Sequence, residues 1–441
     1  HDPVVLDGFI EMPGRGLAEA DLRQGLDLVW LDYGGGVSTY VGYGSVGTPG
    51  GVAGLASASE HYGVLEWSHL LQPAIRAARI GFPLPTAAAE YLEASRDKIY
   101  GWDPPSYAAL HHGDGRPIEA LETLQIPALV ESLEVLAAGG AAEMYTGSIA
   151  DQIVAAMKSG NGIVTAQDLA VYSSITRHPI VIDHGDWAIA TNPAPAVGGA
   201  VLAALTLLAP RGTAPFSQAW VDDYARAQEA VLSFRRDRMD VLADRNSAVH
   251  DLISAADAAD IEALHGSSST THTSAVDTSG MACAVTMSAG YGAGAMPAGL
   301  WMNNSLGEIE LMGRDPHALE PGTRLISNMA PTVARHADGS VLAIGSPGAD
   351  RITTSLASTL LRYTDQGLSL QEAVDAPRLH VELGDETVVA VEPGLEVAAF
   401  PTRAFPEHAM YFGGVQAASW HPDRGFEGAA DPRRTGGIAV G

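Results

Sequence analysis

The chain has 441 residues, of which 46% are hydrophobic, and it carries a formal net charge of −27 at pH 7. So large a negative charge repels phosphate backbones and anionic membrane surfaces, which argues against nucleic acid as a partner. A single cysteine, Cys283, excludes an intrachain disulfide and a cysteine-based metal site.

The first half of the chain predicts strands and then helices. Residues 1–60 are rich in glycine and predict strands joined by loops. Residues 61–160 predict helices, with apolar residues at helical spacing in "PALVESLEVLAAGG" and "SIADQIVAAMKSG". One helix ends at Gly139-Gly140, a plausible C-cap, and another begins where Thr165 and Asp168 have capping-box spacing. Residues 178–192 predict strands. Residues 198–264 predict helices. The apolar run over 196–209 predicts a buried core helix, because it is too short to span a bilayer, which needs about 20 residues.

The second half is dominated by predicted strands. The stretch "TSAVDTSGMACAVTMS" predicts two strands around a Thr-Ser-Gly turn, and "GSVLAIGSPG" predicts a strand that ends in a glycine loop. Cys283 lies in the second strand of the pair, where alternating apolar residues predict a buried core thiol. Helices in the first half and strands in the second predict a layered α+β fold.

A run of hydroxyl side chains, "SSSTTHTSAVD" at residues 267–277, precedes the predicted strand pair. One interpretation is a polar loop that leads into a strand. The other is a cleavage site whose new N-terminus is a catalytic threonine. The local residues alone do not decide between the two.

The segment "TTHTSAVDTSG" resembles the start of the small subunit of γ-glutamyltransferases (γ-glutamyltranspeptidases), which are N-terminal-nucleophile hydrolases. The resemblance extends, in family order, over about residues 4–436. It is carried by "GTPGGVAGLASASEHYG", "LLQPAIRAARIGFPL", "MYTGSIADQIVAAM", "GIVTAQDLAVY", "MNNSLGEI", "RLISNMAPTV", "GSPGADRITT", "DAPRLH" and "GAADPRR".

This resemblance implies a four-layer αββα sandwich and a precursor that cuts itself between Ser269 and Thr270. The expected products are a large-subunit-like region, 1–269, and a small-subunit-like region, 270–441, which stay together as a heterodimer. Thr270 is the expected nucleophile, and its freed α-amine, with an ordinary pKa of about 8, can accept the hydroxyl proton. The threonine β-branch restricts χ1 and so holds the hydroxyl in one direction.

Further site residues follow from the resemblance alone. Ser288 matches a hydroxyl residue that hydrogen-bonds the nucleophile, and Gly348 with Ala349 match the pair whose backbone N–H groups form an oxyanion hole. The α-amino group of a glutamyl substrate is expected to bind Asn304, Ser305 and Glu308. Its α-carboxylate is expected to bind Ser327 and Asn328.

Three features depart from the family pattern. Ile10, in "LDGFIEMPG", stands where the family carries a carboxylate-binding arginine, and Arg15 is the nearby residue expected to replace it. Gly290 stands where the family usually has asparagine or glutamate. The chain also begins without the family's first N-terminal segment of roughly 60 residues. The first two departures put glutamyl specificity in question.

The expected function is therefore a γ-glutamyl amide hydrolase and acyltransferase that acts on glutathione-like substrates, with water or an amine as acceptor. No cofactor, metal, nucleic-acid partner or membrane span is expected, and family precedent suggests a periplasmic or secreted protein. Alternatives are a cephalosporin or glutaryl-amide acylase of the same family and a processed but weakly active scaffold. The "HH" at 111–112 and the glycine-rich loops give little support to a metal or phosphate site.

Overall fold

A computed structural model describes residues 2–22, 24–32, 36–239, 245–257, 271–312 and 319–441. The helices are α1 (Gly51–Tyr62), α2 (Trp67–Ile80), α3 (Thr86–Ser95), α4 (Pro104–Leu110), α5 (Pro127–Gly139), α6 (Ala142–Tyr145), α7 (Ser148–Ser159), α8 (Ala166–Val171), α9 (Gly198–Leu207), α10 (Gln218–Phe234), α11 (Arg245–Asp257), α12 (Ile309–Met312), α13 (Arg351–Thr364) and α14 (Leu370–Asp375).

The strands are β1 (Val5–Asp7), β2 (Asp27–Leu31), β3 (Val37–Val41), β4 (Phe82–Pro83), β5 (Thr123–Leu124), β6 (Ile175–Arg177), β7 (Ile180–His184), β8 (Trp187–Thr191), β9 (Thr271–Val276), β10 (Ala282–Met287), β11 (Thr332–His336), β12 (Val341–Gly345), β13 (Leu379–Glu382), β14 (Val388–Val391), β15 (Thr402–Ala404), β16 (Gln416–His421) and β17 (Gly425–Ala430). This mixture of helix and sheet confirms the predicted α+β class.

The chain divides into two compact units. Unit 1 comprises His1–Val5, Arg177–Ser288 and Ile326–Gly441, and unit 2 comprises Leu6–Thr176 and Ala289–Leu325. These units are defined by packing, whereas the predicted division at residue 269 is one by cleavage, which stays a prediction.

Unit 1 is built on an antiparallel sheet with strand order β17-β16-β12-β11-β8-β7. The hairpin β9–β10 packs against β12 and β16, and α13 also packs against β12. All five residues of β12 are buried, as expected for a strand covered on both faces. The hairpin, β12 with its glycine loop, and the strands at 178–192 confirm the sequence predictions.

Helix α9 confirms the predicted buried helix, because nearly every residue in it is buried. Its small and branched side chains pack against α10, α11 and α13. Within the described residues, no helix is both long and apolar enough to cross a membrane.

The core of unit 2 is shared by α5, α7 and α8, which confirm the predicted helices and the capping box at Thr165 and Asp168. Met302 belongs to this core and is 3% exposed. The core thus anchors the start of the segment that carries three predicted substrate-binding residues, 304, 305 and 308.

Two sequence predictions are wrong. Residues 51–62, predicted as part of a strand-rich region, form helix α1. A side chain at Gly8 would come within 2.8 Å of the Gly54 Cα atom, so glycines at both positions permit a close approach to the helix. Cys283 is exposed and is not a core thiol. Successive side chains in β10 lie on opposite faces of the strand, so the small residues Ala282 and Ala284 lie on the face opposite Cys283.

Candidate active site

The predicted cleavage site, Ser269 and Thr270, lies outside the described residues, so both roles remain predictions. The described chain resumes at Thr271, the first residue of β9. Thr271 is paired with Met287, the last residue of β10, and Ser288 follows directly. Ser288 is half-buried and has an interaction of its own within the structure. The hairpin register therefore places Ser288 just beyond the strand position opposite Thr271.

His272 holds this end of the hairpin through both of its ring nitrogens. The Nδ1 atom lies 2.7 Å from the Thr286 hydroxyl, and Nε2 lies 2.8 Å from the Ser274 hydroxyl. A Cβ atom at Gly345 would overlap the imidazole, so β12 needs glycine where the ring packs. Burial lowers the pKa of His272 to about 3, which keeps the imidazole neutral. His272 was not among the residues predicted from the sequence, although it occupies an inward position of an alternating strand.

The Gly348–Ala349 loop joins β12 to α13 in a left-handed conformation. The φ angles are +133° at Gly348 and +61° at Ala349. A Cβ atom at Gly348 would lie 2.6 Å from the Gly413 Cα atom, so only glycine fits there. Ala349 is buried, and a left-handed alanine costs about 1–2 kcal/mol, a strain typical of functional loops.

The backbone N–H groups of this loop are available to a ligand. In the part of the chain that the structure describes, neither Gly348 nor Ala349 donates a hydrogen bond from its backbone nitrogen. Helix α13 begins two residues later, at Arg351, and its dipole adds positive potential at this end. Such a loop can receive a developing oxyanion.

Asn328 has the least satisfied side chain of the predicted site. It is 3% exposed, and neither its Nδ2 nor its Oδ1 atom has a hydrogen-bond partner among the described residues. By contrast, the neighbouring Ser327 hydroxyl accepts a 3.0 Å hydrogen bond from the Met329 N–H. Buried amides are almost always paired, so an unpaired one is expected where a ligand binds.

Asn304, predicted to bind the substrate amine, is saturated by its own unit. Its Oδ1 atom accepts hydrogen bonds from the N–H groups of Tyr291 and Gly292, at 2.7 and 3.1 Å. Its Nδ2 atom donates to the Thr39 hydroxyl and the Tyr40 carbonyl, at 3.0 and 2.9 Å. These bonds use both lone pairs and both N–H groups of the amide. Asn304 therefore positions the loop after Gly290, and the predicted contact with an ammonium is disfavoured.

Ser305 and Glu308 remain suited to polar recognition. The Ser305 hydroxyl is buried without a partner among the described residues. The Glu308 residue is 1% exposed, and its Oε1 atom would lie 3.0 Å from a Cβ atom at Gly290. Such a Cβ would also overlap Asn304, and the φ of Gly290 is +60°. The glycine at this position is thus required by the local packing.

Arg15, the predicted replacement for the missing arginine, is already paired. Its two terminal nitrogens each lie 3.2 Å from a carboxylate, one from Glu11 and the other from the buried Asp168. Ile10 is itself buried, and a Cβ atom at Gly47 would overlap its side chain. These pairs give Arg15 a structural role, and its expected replacement of the family arginine stays a prediction.

The predicted residues are shared between the two units. Unit 1 contains Ser288, Ser327, Asn328, Gly348 and Ala349; unit 2 contains Arg15, Asn304, Ser305 and Glu308. Within unit 2, Gly290, Asn304 and Glu308 lie together. No group of three or more potential metal-binding side chains occurs in the described ranges.

The two adjacent histidines have ordinary structural partners. His111 stacks on the Tyr107 ring with centroids 3.8 Å apart, and His112 lies 3.0 Å from the Glu122 carboxylate. Neither contact suggests a metal ligand.

Comparison with known proteins identifies the family. The sequence model of the gamma-glutamyltranspeptidase family matches residues 31–441. The glutathione hydrolase proenzyme of Escherichia coli strain K12 is 30% identical, over 90% of this chain and 75% of its own. The corresponding proenzyme of Pseudomonas sp. strain A14 is also 30% identical, over 94% and 81%. The capsule biosynthesis protein CapD proenzyme of Bacillus anthracis is 29% identical, over 89% and 75%.

A solved structure supports the fold. The cephalosporin acylase from Bacillus halodurans superposes with a TM-score of 0.76, covering 98% of this chain and 84% of its own, at 22% identity. These findings confirm the resemblance and the interpretation of the protein as a γ-glutamyltransferase-like enzyme. The chain belongs to the gamma-glutamyltranspeptidase family.

Proposed function

We propose that the protein is a self-processing hydrolase and acyltransferase that cleaves γ-glutamyl or related acyl amides through an ester on Thr270. The proposal rests on the buried Gly348–Ala349 loop. The two backbone N–H groups of this loop have no acceptor among the described residues. Membership of the family and relatives that are glutathione hydrolase proenzymes support a glutathione-like substrate.

The first reaction is processing. The Thr270 hydroxyl attacks the Ser269 carbonyl, the peptide C–N bond breaks, and the acyl group passes from nitrogen to oxygen. The shift frees the Thr270 α-amine. Water then hydrolyses the ester, so that residue 269 ends in a carboxylate and Thr270 regains its hydroxyl. The two expected fragments are 1–269 and 270–441, which stay associated within one four-layer αββα fold.

The second reaction is acyl transfer. The Thr270 α-amine accepts the hydroxyl proton as the oxygen attacks the γ-carbonyl carbon. The N–H groups of Gly348 and Ala349 stabilise the oxyanion, and removing one such donor typically costs about 2.7–4 kcal/mol. The leaving amine takes the proton, and water or another amine then releases the acyl group. Ser288 is proposed to hydrogen-bond the nucleophile.

Substrate binding is proposed to use buried polar groups of the predicted site. Asn328 and Ser327 would receive a carboxylate, to which the Asn328 amide can donate. Glu308 suits an ammonium, and the Ser305 hydroxyl can accept from one. Asn304 would keep the loop at 290–292 in place.

A second candidate is hydrolysis of glutaryl amides, which lack the amine. This activity is favoured by the hydrogen bonds of Asn304, because one of the three predicted amine-binding side chains is already fully hydrogen-bonded within the protein. Comparing turnover of γ-glutamyl and glutaryl anilides separates the two candidates. Equal kcat/KM for both acyl groups would favour the broader acylase.

The processing mechanism is tested by intact-mass measurement of the purified protein. We expect two fragments from the wild type and a single, inactive chain from Thr270→Ala. Thr271→Ala is the matched control, because it removes an adjacent threonine hydroxyl and should still be cleaved. Cleavage of Thr270→Ala at the same bond would show that another protease cuts there.

A further inference from the structure

Three arginines surround the buried His380 near the start of α13. Burial, and then the charges of Arg351, Arg403 and Arg235, hold the pKa of His380 well below its usual range. Its Nδ1 atom lies 3.1 Å from the Thr354 hydroxyl. The imidazole is therefore neutral, and the arginines supply the positive charge of this cluster in a chain whose net charge is −27.

Two of these arginines have carboxylate partners. The Arg403 Nε atom donates a 3.0 Å hydrogen bond to Glu382, and an Arg235 nitrogen lies 4.0 Å from Asp350. Arg351 differs: among the described residues it has no carboxylate partner, and only its Nε atom donates a side-chain hydrogen bond. Among the described residues, Arg351 is thus the one arginine of these three without a carboxylate partner.

The Arg351 guanidinium is nevertheless held in position. Its Nε atom lies 2.9 Å from the Tyr411 carbonyl, and its central carbon lies 4.3 Å from the centroid of the Tyr411 ring. The side chain is half-buried. Because Nε and one face are occupied, the two terminal nitrogens remain, and a guanidinium can bind a carboxylate through two parallel hydrogen bonds.

Arg351 also adjoins the candidate oxyanion loop. Its backbone N–H donates a 3.0 Å hydrogen bond to the Gly348 carbonyl, and its Cβ atom would lie 3.9 Å from a Cβ atom at Gly348. A charged group held two residues from Ala349 can reach substituents close to a reacting carbonyl.

We propose that Arg351 is a specificity-determining residue that binds a carboxylate of the substrate. The inference rests on the proposed acyl transfer at Thr270 and supplies a cation that neither Ile10 nor the paired Arg15 provides. A γ-glutamyl peptide carries carboxylates on both sides of the scissile amide. The carboxylate can therefore belong to the acyl part or to the amine part.

Three anilides distinguish the two sources. For the acyl part, γ-glutamyl 4-nitroanilide is compared with 4-aminobutanoyl 4-nitroanilide, which lacks only the α-carboxylate. For the amine part, γ-glutamyl 3-carboxy-4-nitroanilide is compared with γ-glutamyl 4-nitroanilide. The enzymes are the wild type, Arg351→Gln, Arg351→Lys and a control, Arg226→Gln, which removes an exposed arginine paired with Asp223.

We expect Arg351→Gln to raise KM by about 10- to 100-fold for the substrates that carry the recognised carboxylate and to change kcat little. The α-carboxylate is the source if the effect disappears for the 4-aminobutanoyl substrate. The amine part is the source if only the 3-carboxy substrate is affected. The KM of Arg351→Lys should lie between those of Arg351→Gln and the wild type, because lysine keeps the charge but lacks the forked guanidinium. Arg226→Gln should have the same KM and kcat as the wild type.

An equal increase in the KM of Arg351→Gln on all three substrates would overturn the proposal, as would an equal increase in the KM of Arg226→Gln. A binding measurement separates this failure from failure of the proposed function. If the wild type turns over no anilide, two pairs of ligands are titrated into the wild type and into Arg351→Gln. Glutamine and 4-aminobutanamide differ only in the α-carboxylate, and 5-amino-2-nitrobenzoate and 4-nitroaniline differ only in the aromatic carboxylate. Weaker binding of a carboxylate ligand to Arg351→Gln still supports the role of Arg351, and unchanged binding of every ligand overturns it.

Discussion

Replacing Asn328 by leucine should stabilise the protein and weaken catalysis at the same time. Leucine has the same number and branching of heavy atoms as asparagine but no polar atoms to desolvate. Both polar atoms of the Asn328 amide are buried without a partner among the described residues. An unsatisfied buried polar group costs about 1–3 kcal/mol, so we expect the free energy of unfolding to rise by about that amount.

Asn192 provides the matched control for this substitution. It is a buried asparagine of the same unit, and its Nδ2 atom donates a 2.9 Å hydrogen bond to the Met329 carbonyl. Asn192→Leu breaks that bond and leaves the carbonyl unpaired, so we expect a loss of about 1–3 kcal/mol. The two substitutions remove the same amide from similar depths and should shift stability in opposite directions.

Urea denaturation of the Thr270→Ala single chain measures both effects without the complication of dissociating fragments. The slope of unfolding free energy against urea should stay constant, so that the midpoint reports stability. In the processed enzyme, Asn328→Leu should raise KM for γ-glutamyl substrates at least about tenfold, because a hydrogen bond to a charged group contributes about 1.5–3 kcal/mol.

Two results would refute this reasoning. If Asn328→Leu destabilises the chain as much as Asn192→Leu does, the Asn328 amide is paired in solution. If stability rises and KM is unchanged, the amide is unpaired but does not bind the substrate.

Three further predictions concern the candidate oxyanion loop and the hairpin. Ala349→Gly relieves about 1–2 kcal/mol of left-handed backbone strain, which is offset by up to about 1 kcal/mol of glycine entropy. The midpoint of urea denaturation should therefore be unchanged or higher. A clear decrease in the midpoint would contradict the left-handed conformation. Gly345→Ala places a methyl group against the His272 ring, so we expect the free energy of unfolding to fall by about 1–3 kcal/mol. Cleavage before Thr270, followed by mass spectrometry, should also be slower. Wild-type stability would show that the ring lies elsewhere. The pKa of His272 falls from 6.5 to about 3 on folding; stability from the neutral imidazole is therefore present above pH 6.5 and lost as the pH falls towards 3. His272→Gln should flatten the pH dependence of stability in that window, and an unchanged profile would mean that the histidine titrates normally.

Local patterns in the sequence were sufficient for many elements of the fold. Apolar residues at helical spacing predicted α5 and α7, and the capping residues at 165 and 168 predicted the start of α8. The turn between two alternating runs predicted the β9–β10 hairpin. These elements depend on neighbours a few residues apart, so their signals survive in the linear chain. The motifs, because they occur in family order along the chain, were also sufficient to indicate the family.

What depended on distant residues could only be decided by the tertiary structure. The alternation around Cys283 defines two strand faces, but it does not say which face is covered, and the exposed one carries the thiol. Asn304 is saturated by a hydroxyl 265 positions away at Thr39, and Arg15 is paired with Asp168, 153 positions away. A side chain's chemistry is determined by its residue type, but its availability to a ligand depends on partners that only folding brings within hydrogen-bonding distance. For that reason the sequence by itself determined the family, the class of fold and the candidate residues. Only the structure separated the Asn328 amide, which has no partner among the described residues, from the saturated amide of Asn304.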